Sequence, residues 1–186
     1  MKKTVITNIN DGFDFLGWNF RKFREKLLIQ PSRKSKQKIT KSLSRTVKYY
    51  HEASQELLII KLNEMTRGWA KYHHCVCAKK TYALIDHRLW GMLWKWAKRR
   101  HPRKGRKWIK NRYWHPKGNR EWSFRTDGAI LYQMMDMPIV RIRSLDLKKN
   151  PFLDSDYFEY RRQQHKKDRE TAYFSSTAAR SGYYAL

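Results

Sequence analysis

The stretch SQELLIIKLNEMTRGWAKY, residues Ser54–Tyr72, decides the fold of this chain. Its main apolar positions recur at spacings of four and three residues: Leu58, Leu62, Met65, Trp69 and Tyr72. This is the period of a helix with one apolar side. Ser54 precedes the run and suits an N-cap, because a serine oxygen accepts a hydrogen bond from a free N–H of the first turn. The stretch therefore predicts a helix from about Ser54 to His74.

Two further amphipathic helices flank this one. Ser32 suits the N-cap of a helix that extends to about Tyr50, and a third helix is predicted from Thr81 to Arg100, ending before Pro102. Their apolar lines are Ile39, Leu43, Val47 and Tyr50 in the first, and Ile85, Leu89, Met92 or Leu93, and Trp96 in the third. Consecutive amphipathic helices with short connections favour an antiparallel three-helix bundle.

The flanking segments differ from the bundle. A β-hairpin is predicted over residues 13–30. The signals are alternating aromatic residues, a glycine, and the segment Lys26–Gln30 as the second strand. After Pro102 we expect a basic, aromatic-rich and β-rich region, with a hairpin over residues 108–125 and its clearest strand over residues 139–142. Residues 161–186 are polar and then small, which favours a frayed tail.

The predicted fold class is therefore mainly α: a short β-hairpin, an antiparallel three-helix bundle and a small basic β-rich region. The predicted divisions are residues 1–31 for the hairpin, 32–102 for the bundle, 103–165 for the basic region and 166–186 for a flexible tail.

Charge is the strongest functional signal. The chain has 42 Lys and Arg against 16 Asp and Glu, a net charge of +26. Residues 31–120 hold 25 of the basic residues and four acidic ones, which gives this segment +21. Such an excess repels itself, so a polyanionic partner is expected, and the commonest is nucleic acid.

Composition excludes several other classes. A chain that is 40% hydrophobic and has eight tryptophans is not a disordered basic tail. The longest apolar run, Leu57–Ile60, is far shorter than a membrane span, and no apolar signal region follows the N-terminus, so no membrane partner is expected. Cys75 and Cys77 are poorly placed for a mutual disulfide, which favours a cytoplasmic location.

The candidate nucleic-acid-binding residues are lysines and arginines of the predicted helices and of the loop after Arg100. They are Lys34, Lys38, Lys41, Arg45, Lys48, Arg67, Lys71, Lys79, Lys80, Arg99, Arg100, Arg103, Lys104, Arg106 and Lys107. Trp108, Tyr113 and Trp114 are candidates for stacking on unpaired bases, although they serve equally well as the core of a small hairpin. Trp69, Trp90, Trp94 and Trp96 are predicted to be core residues.

Other reactive residue types give weaker signals. The string His73-His74-Cys75-Val76-Cys77 lacks the second ligand pair that a zinc site needs, so a buried cysteine and surface histidines are the preferred interpretation. Asp86 and His87 have no nucleophile beside them, and we interpret them as surface or packing residues. No metal, no cofactor and no catalytic residue is predicted.

Several strings together resemble the C-terminal part of group II intron reverse transcriptase/maturases. They are Gly12–Trp18, Gln30–Ser32, Gly68–Tyr72, Asp86–Trp90, Trp94–Trp96, Pro138–Arg141 and Asn150–Phe152. The resemblance covers roughly residues 10–165. It implies that the hairpin closes the palm, that the three helices are the thumb, also called the maturase-specific or X domain, and that residues from about 103 to 160 begin the DNA-binding region.

The chain also departs from that family. It has no Tyr-Ala-Asp-Asp-type string and no adjacent acidic pair, whereas polymerisation needs paired carboxylates that hold two metals. It also lacks the paired Cys-x-x-Cys ligands of an HNH-type nuclease. We therefore expect a protein that is not an enzyme by itself.

The resemblance implies a maturase-type function: binding of structured group II intron RNA, in support of splicing, by the candidate cations. Target DNA is a further expected partner. Three alternatives stay open: an inactive truncated remnant, one subunit of a split reverse transcriptase, and a generic nucleic-acid-binding module. In the second case a separate palm-containing chain, or a second copy of this chain, would cover the aromatics of residues 13–30.

Overall fold

The structure, a computed structural model, describes residues 6–118, 120–140 and 145–184. Its strands and helices in chain order are β1 (Phe13–Phe15), β2 (Trp18–Phe23), β3 (Lys26–Pro31), α1 (Arg33–Tyr49), α2 (Gln55–His73), α3 (Lys79–Arg100), α4 (Arg106–Tyr113), β4 (Trp114–Lys117), β5 (Arg120–Phe124) and α5 (Ser155–Tyr184). A 3-10 turn covers Met134–Asp136. The mainly α fold with short β segments is confirmed.

The starts of α1 and α2 lie where the sequence predicts them. The Ser32 hydroxyl accepts the N–H of Ser35 at 3.1 Å, and the Ser54 hydroxyl accepts the N–H of Leu57 at 3.2 Å. Both serines therefore satisfy an N–H that has no partner within its helix. Helix α3 begins at Lys79, two residues before the predicted start at Thr81. Its N-cap residue is Ala78, whose side chain accepts no hydrogen bond, so the sequence contains no capping signal at the observed start.

Hydrogen bonds between the helices show that the bundle is antiparallel. Tyr82 near the start of α3 donates its hydroxyl to the carbonyl of Ala70 near the end of α2, at 2.7 Å. Trp96 near the end of α3 donates its indole N–H to the carbonyl of Tyr50, directly after α1, at 3.0 Å. Helices α1 and α3 therefore run in one direction and α2 runs back between their ends.

The N-terminal β segment has three strands rather than two. Strands β1, β2 and β3 form an antiparallel meander, in which Phe15 pairs with Trp18 and Trp18 also pairs with Pro31. Leu16 and Gly17 between β1 and β2 have φ of 47° and 81°, so they form the tight turn that favours hairpins. The predicted hairpin is present as β2 and β3, and β1 is a third strand because this turn divides the aromatic run.

The buried side chain of His73 joins this meander to the bundle. The indole of Trp18 donates to Nδ1 of His73 at 3.0 Å, and Nε2 lies 3.1 Å from the hydroxyl of Ser35. Because an indole nitrogen only donates, Nδ1 must be unprotonated and Nε2 carries the proton. Burial lowers the pKa of His73 to about 4, so the ring is neutral. The expectation of a surface histidine is wrong here, because three elements converge on this ring.

The region after Pro102 packs on the bundle. Residues 106–113 form α4 and not the first strand of a hairpin, since they contain no glycine or proline and place Ile109 and Tyr113, four residues apart, in the core. The hairpin itself is β4–β5, with Trp114 opposite Phe124. The core cluster continues from Leu43 of α1 to Phe124 of β5, so the predicted boundary at residue 102 does not separate two cores.

Residues 125–137, here called the strap, are irregular apart from the 3-10 turn and cross α2 and α3. Asn63 of α2 donates to the carbonyl of Ile130 at 2.8 Å and accepts the N–H of Tyr132 at 2.7 Å. The carboxylate of Asp86 on α3 accepts the N–H groups of Met134 and Met135 at 3.1 and 3.0 Å. Burial raises the pKa of Asp86 to about 6, against the effect of these two hydrogen bonds. Asp86 is thus a packing residue, as predicted.

The C-terminal segment differs from its prediction. The backbone of residues 161–184 continues α5, so the expectation of a frayed tail is wrong for its secondary structure. No proline or glycine interrupts residues 155–180, and polar composition alone does not prevent a helix. In the predicted strand over residues 139–142, Ile139 and Val140 are irregular and the rest lies outside the described residues. No helix among the described residues combines the length and apolarity that crossing a membrane requires.

Replacement of His73 by Gln is expected to change how stability depends on pH. The unfolded chain binds a proton on His73 near pH 6.5, whereas the folded chain does so only near pH 4. The contribution of His73 is therefore fully present above pH 6.5 and is lost progressively as pH falls toward 4. Urea unfolding at pH 7.5 and 5.0 should show a larger fall in unfolding free energy for the wild type than for His73→Gln. Parallel pH profiles would contradict this account.

Candidate nucleic-acid interface

Five predicted cations of α1 form a single stripe, here called the cationic stripe: Lys34, Lys38, Lys41, Arg45 and Lys48. They recur at spacings of four, three, four and three residues, and all five are exposed. Since each residue of a helix advances about 100°, they lie within about 40° of one line. Ile39, Leu43 and Val47 lie on the opposite side of α1 and are buried. The stripe is about 21 Å long at 1.5 Å per residue.

In the described part of the chain, no ion pair compensates the charge of the stripe. Helix α1 contains no Asp or Glu. Among the residues that the structure describes, no carboxylate forms an ion pair with any of the five. Like charges three and four residues apart on a helix are mutually destabilising. The stripe therefore leaves a band of positive potential that a row of phosphates fits.

Cations also occupy the first turns of three helices. The first turns of α1, α3 and α4 contain no acidic residue and begin with Arg33 and Lys34, Lys79 and Lys80, and Arg106 and Lys107. A helix N-terminus carries partial positive charge, so cations there are unfavourable for folding and anions are favourable. Only α2 has an acidic residue, Glu56, in this position among these four helices. A phosphate would relieve both sources of repulsion.

Three of the predicted cations contact residues that are distant in the sequence, and a fourth, Lys104, lies over the ring of Trp108 nearby. The guanidinium of Arg67 lies over the ring of Tyr132 in the strap, 5.4 Å from its centroid. Lys79 donates its ammonium to the carbonyl of Met135 at 2.6 Å. Arg100 lies 4.6 Å from the ring centroid of Trp96 and donates to the carbonyls of His51 and Ala53. Arg67 and Lys79 therefore attach the strap to the bundle, and Arg100 attaches the α1–α2 connection to α3.

The twelve predicted cations other than Arg67, Lys79 and Arg100 are exposed, and half of them lie at one end of the bundle. The bonds from Trp96 to Tyr50 and from Arg100 to His51 bring the C-terminal ends of α1 and α3 together. This end carries exposed residues of α1, of α3, of the α3–α4 connection and of the start of α4: Lys48, Arg99, Arg103, Lys104, Arg106 and Lys107. Lys71 and Lys80 are exposed near the opposite end. The cationic stripe connects the two ends.

The predicted stacking residues divide into one exposed and two buried side chains. Trp108 is 40% exposed, with Lys104 Nζ 5.5 Å from its ring centroid. Tyr113 and Trp114 are 6% and 1% exposed, so their role as stacking residues is corrected: both are core residues between α3, α4 and β5. Conversely, Trp90, predicted as core, is 37% exposed because it lies at the edge of the buried side of α3.

The described residues contain no group of three His, Cys, Asp or Glu side chains placed to hold a metal ion. Cys75 and Cys77 are free thiols, the first half-buried and the second exposed. Burial raises the pKa of Cys75.

Comparison with known families identifies the part of the chain that carries the stripe. Residues 32–114 match the family model of the group II intron, maturase-specific domain. The matched range covers α1, α2, α3 and α4. No match was found among curated proteins.

A Lys41→Glu substitution is expected to stabilise the free protein at low salt. The new carboxylate would lie one turn from both Lys38 and Arg45, and each such pair contributes about 0.2–0.5 kcal/mol. We expect the unfolding free energy to rise by about 0.5–1 kcal/mol at low ionic strength and the gain to shrink at high salt because the charges are screened. Lys167→Glu on α5 makes the same charge change outside the stripe and should give no gain. An equal effect of both substitutions would contradict the repulsion within the stripe.

Proposed function

Because residues 32–114 match the family model of the group II intron, maturase-specific domain, we propose that this chain binds structured group II intron RNA and assists its splicing. The observation that carries the proposal is the cationic stripe on α1. It is uncompensated, about 21 Å long, and lies opposite the side that holds α1 in the bundle. The charge of the segment 31–120 supports the same conclusion.

The proposed mechanism is electrostatic. Lysine and arginine side chains neutralise phosphates where RNA helices approach one another, and so favour the compact fold of the intron. Folded RNA is recognised mostly through its shape and backbone, which suits a rigid helix that presents cations at regular intervals. Because the protein binds the folded RNA more tightly than the unfolded RNA, it stabilises the folded form by mass action.

The chain would act without polymerase or nuclease activity of its own, and the RNA would supply the chemistry. The sequence supports this part of the proposal, since it contains no adjacent carboxylate pair of the kind that holds two metals in a polymerase. Duplex DNA is a weaker expected ligand, through the exposed cations that follow α3.

Neutralising two residues of the stripe tests the proposal. Lys38→Gln with Arg45→Gln should weaken binding to a group II intron RNA. It should also reduce the slope of log K against log salt by about 1.4–1.8, because each lost phosphate contact removes about 0.7–0.9. The measurement is a salt titration of affinity with duplex DNA as competitor, together with a splicing assay at limiting Mg²⁺.

Lys166→Gln with Lys167→Gln on α5 is the matched control, because it removes the same charge from exposed positions elsewhere. Equal effects of the two double variants would mean that the stripe is not the binding surface. Binding that collapses with salt and is equal for any polyanion would instead favour a generic nucleic-acid-binding module or an inactive remnant.

The exposed apolar side chains of the meander favour a second role, as a subunit that associates through residues 13–30. Phe15, Leu16 and Leu27 are more than half exposed, and Phe13 and Phe23 are partly so. Trp18 is not among them, because its indole is bonded to His73. Phe13, Phe15 and Leu27 lie on one face of the meander, because their cross-strand partners are alternate residues of β2, whereas Phe23 lies on the other face. Exposed apolar residues grouped on one surface commonly mark an interface. The proposed partner is a separate palm-containing chain, and in its absence a second copy of this chain.

Phe15→Glu should reduce self-association of the purified protein. In the variant, association would bury a charged carboxylate instead of an aromatic ring, and burial of an unpaired charge is strongly unfavourable. Sedimentation velocity over a range of concentrations should show oligomers for the wild type and monomers for the variant. A wild type that stays monomeric at high concentration would contradict self-association.

A further inference from the structure

Four tryptophans from three elements form one contiguous cluster, here called the tryptophan cluster: Trp90 and Trp94 of α3, Trp114 of β4 and Trp122 of β5. The rings of Trp90 and Trp94 are stacked, with centroids 5.6 Å apart and planes 12° apart. Trp122 lies 6.2 Å from Trp90 and 6.3 Å from Trp94. The inner member, Trp114, lies 5.1 Å from Trp94.

The inner side of the cluster packs on the protein core, and its outer side is exposed to solvent. Trp114 is 1% exposed and also packs on Phe124, which anchors the cluster to the main core. Trp90 and Trp122 are 37% and 44% exposed. The two outer rings are therefore held in place before any ligand binds, and little conformational freedom of these side chains remains to be lost on binding.

The surroundings of the exposed rings are cationic. Lys110 of α4 has its Nζ 5.5 Å from the ring centroid of Trp122. Lys98 is exposed one helical turn after Trp94. Glu121 adjoins Trp122, but adjacent residues of a strand point to opposite faces. An aromatic surface bordered by cations suits a ligand that combines flat rings with negative charge.

We propose that the tryptophan cluster is a stacking site for unpaired bases of RNA, with Trp122 and Trp90 contacting the bases and Lys110 and Lys98 contacting the adjoining phosphates. The site rests on the proposed function, since it assumes that the chain binds RNA. It lies on α3 and the β4–β5 hairpin, apart from the stripe on α1. Duplex RNA hides the faces of its bases, whereas loops, bulges and ends expose them, so this site selects single-stranded segments.

Substitution of Trp122 tests this site. The probes are a 12-nucleotide single-stranded RNA and the duplex of the same sequence. Trp122→Ala should weaken binding of the single strand about five- to a hundredfold, as the loss of one stacked base does. The salt slope and the affinity for the duplex should stay unchanged, because no phosphate contact is lost. Trp122→Phe should retain most of the single-strand affinity, and thermal unfolding of both variants checks the fold.

Tyr160→Ala is the matched control. Tyr160 is an exposed aromatic residue, 59% exposed, but it lies on α5, outside the tryptophan cluster, the cationic stripe and the meander. Its loss should leave both affinities unchanged. Wild-type affinity of Trp122→Ala for the single strand, or an equal loss in Tyr160→Ala, would overturn the stacking site and leave the proposed function intact. Failure of the wild type to bind either RNA would overturn both.

Discussion

The structure depends on the ability of α1 to bury one side although all the charged residues of its other side are cations. Burial of Ile39, Leu43 and Val47 contributes about 1.5–3 kcal/mol for each side chain. Repulsion between neighbouring cations of the stripe costs about 0.2–0.5 kcal/mol for each pair. Burial therefore exceeds repulsion several-fold, and a helix without a single acidic residue can still be the central contact of the bundle. The chain can carry this excess of positive charge because burial of apolar side chains stabilises the fold by more than charge repulsion destabilises it.

Buried polar bonds decide how the less regular segments attach to the bundle. His73 fixes the meander through Trp18, and Asn63 and Asp86 fix the strap through its backbone. A segment without regular secondary structure must satisfy its N–H and C=O groups somewhere, and here helix side chains do so. The core is consequently shared by segments that are far apart in sequence, from α1 to the strap.

Much of the bundle could be predicted from the sequence, because helical periodicity and serine caps are local signals. The meander turn, α4 and the strap could not be predicted in the same way. Leu16 adopts a positive φ that its residue type rarely signals, and the eight residues of α4 mix basic and aromatic types over too short a run to show a clear period. For the site, the exposed cations were visible in the sequence. Which aromatic rings are buried depends on packing between distant elements, so Tyr113, a stacking candidate from its sequence context, is buried, whereas Trp122 is exposed.

The first turns of α1, α3 and α4 place cations at the positive ends of three helix dipoles. A polyanion bound at these turns would therefore stabilise the folded chain. Any polyanion that lies there lowers the free energy of the folded chain and leaves that of the unfolded chain less affected. The half-life of such a protein in a cell would then follow the supply of its ligand, because proteases remove the unfolded fraction. For the proposed binding of nucleic acid, the abundance of the chain would depend on the concentration of nucleic acid as well as on its own synthesis.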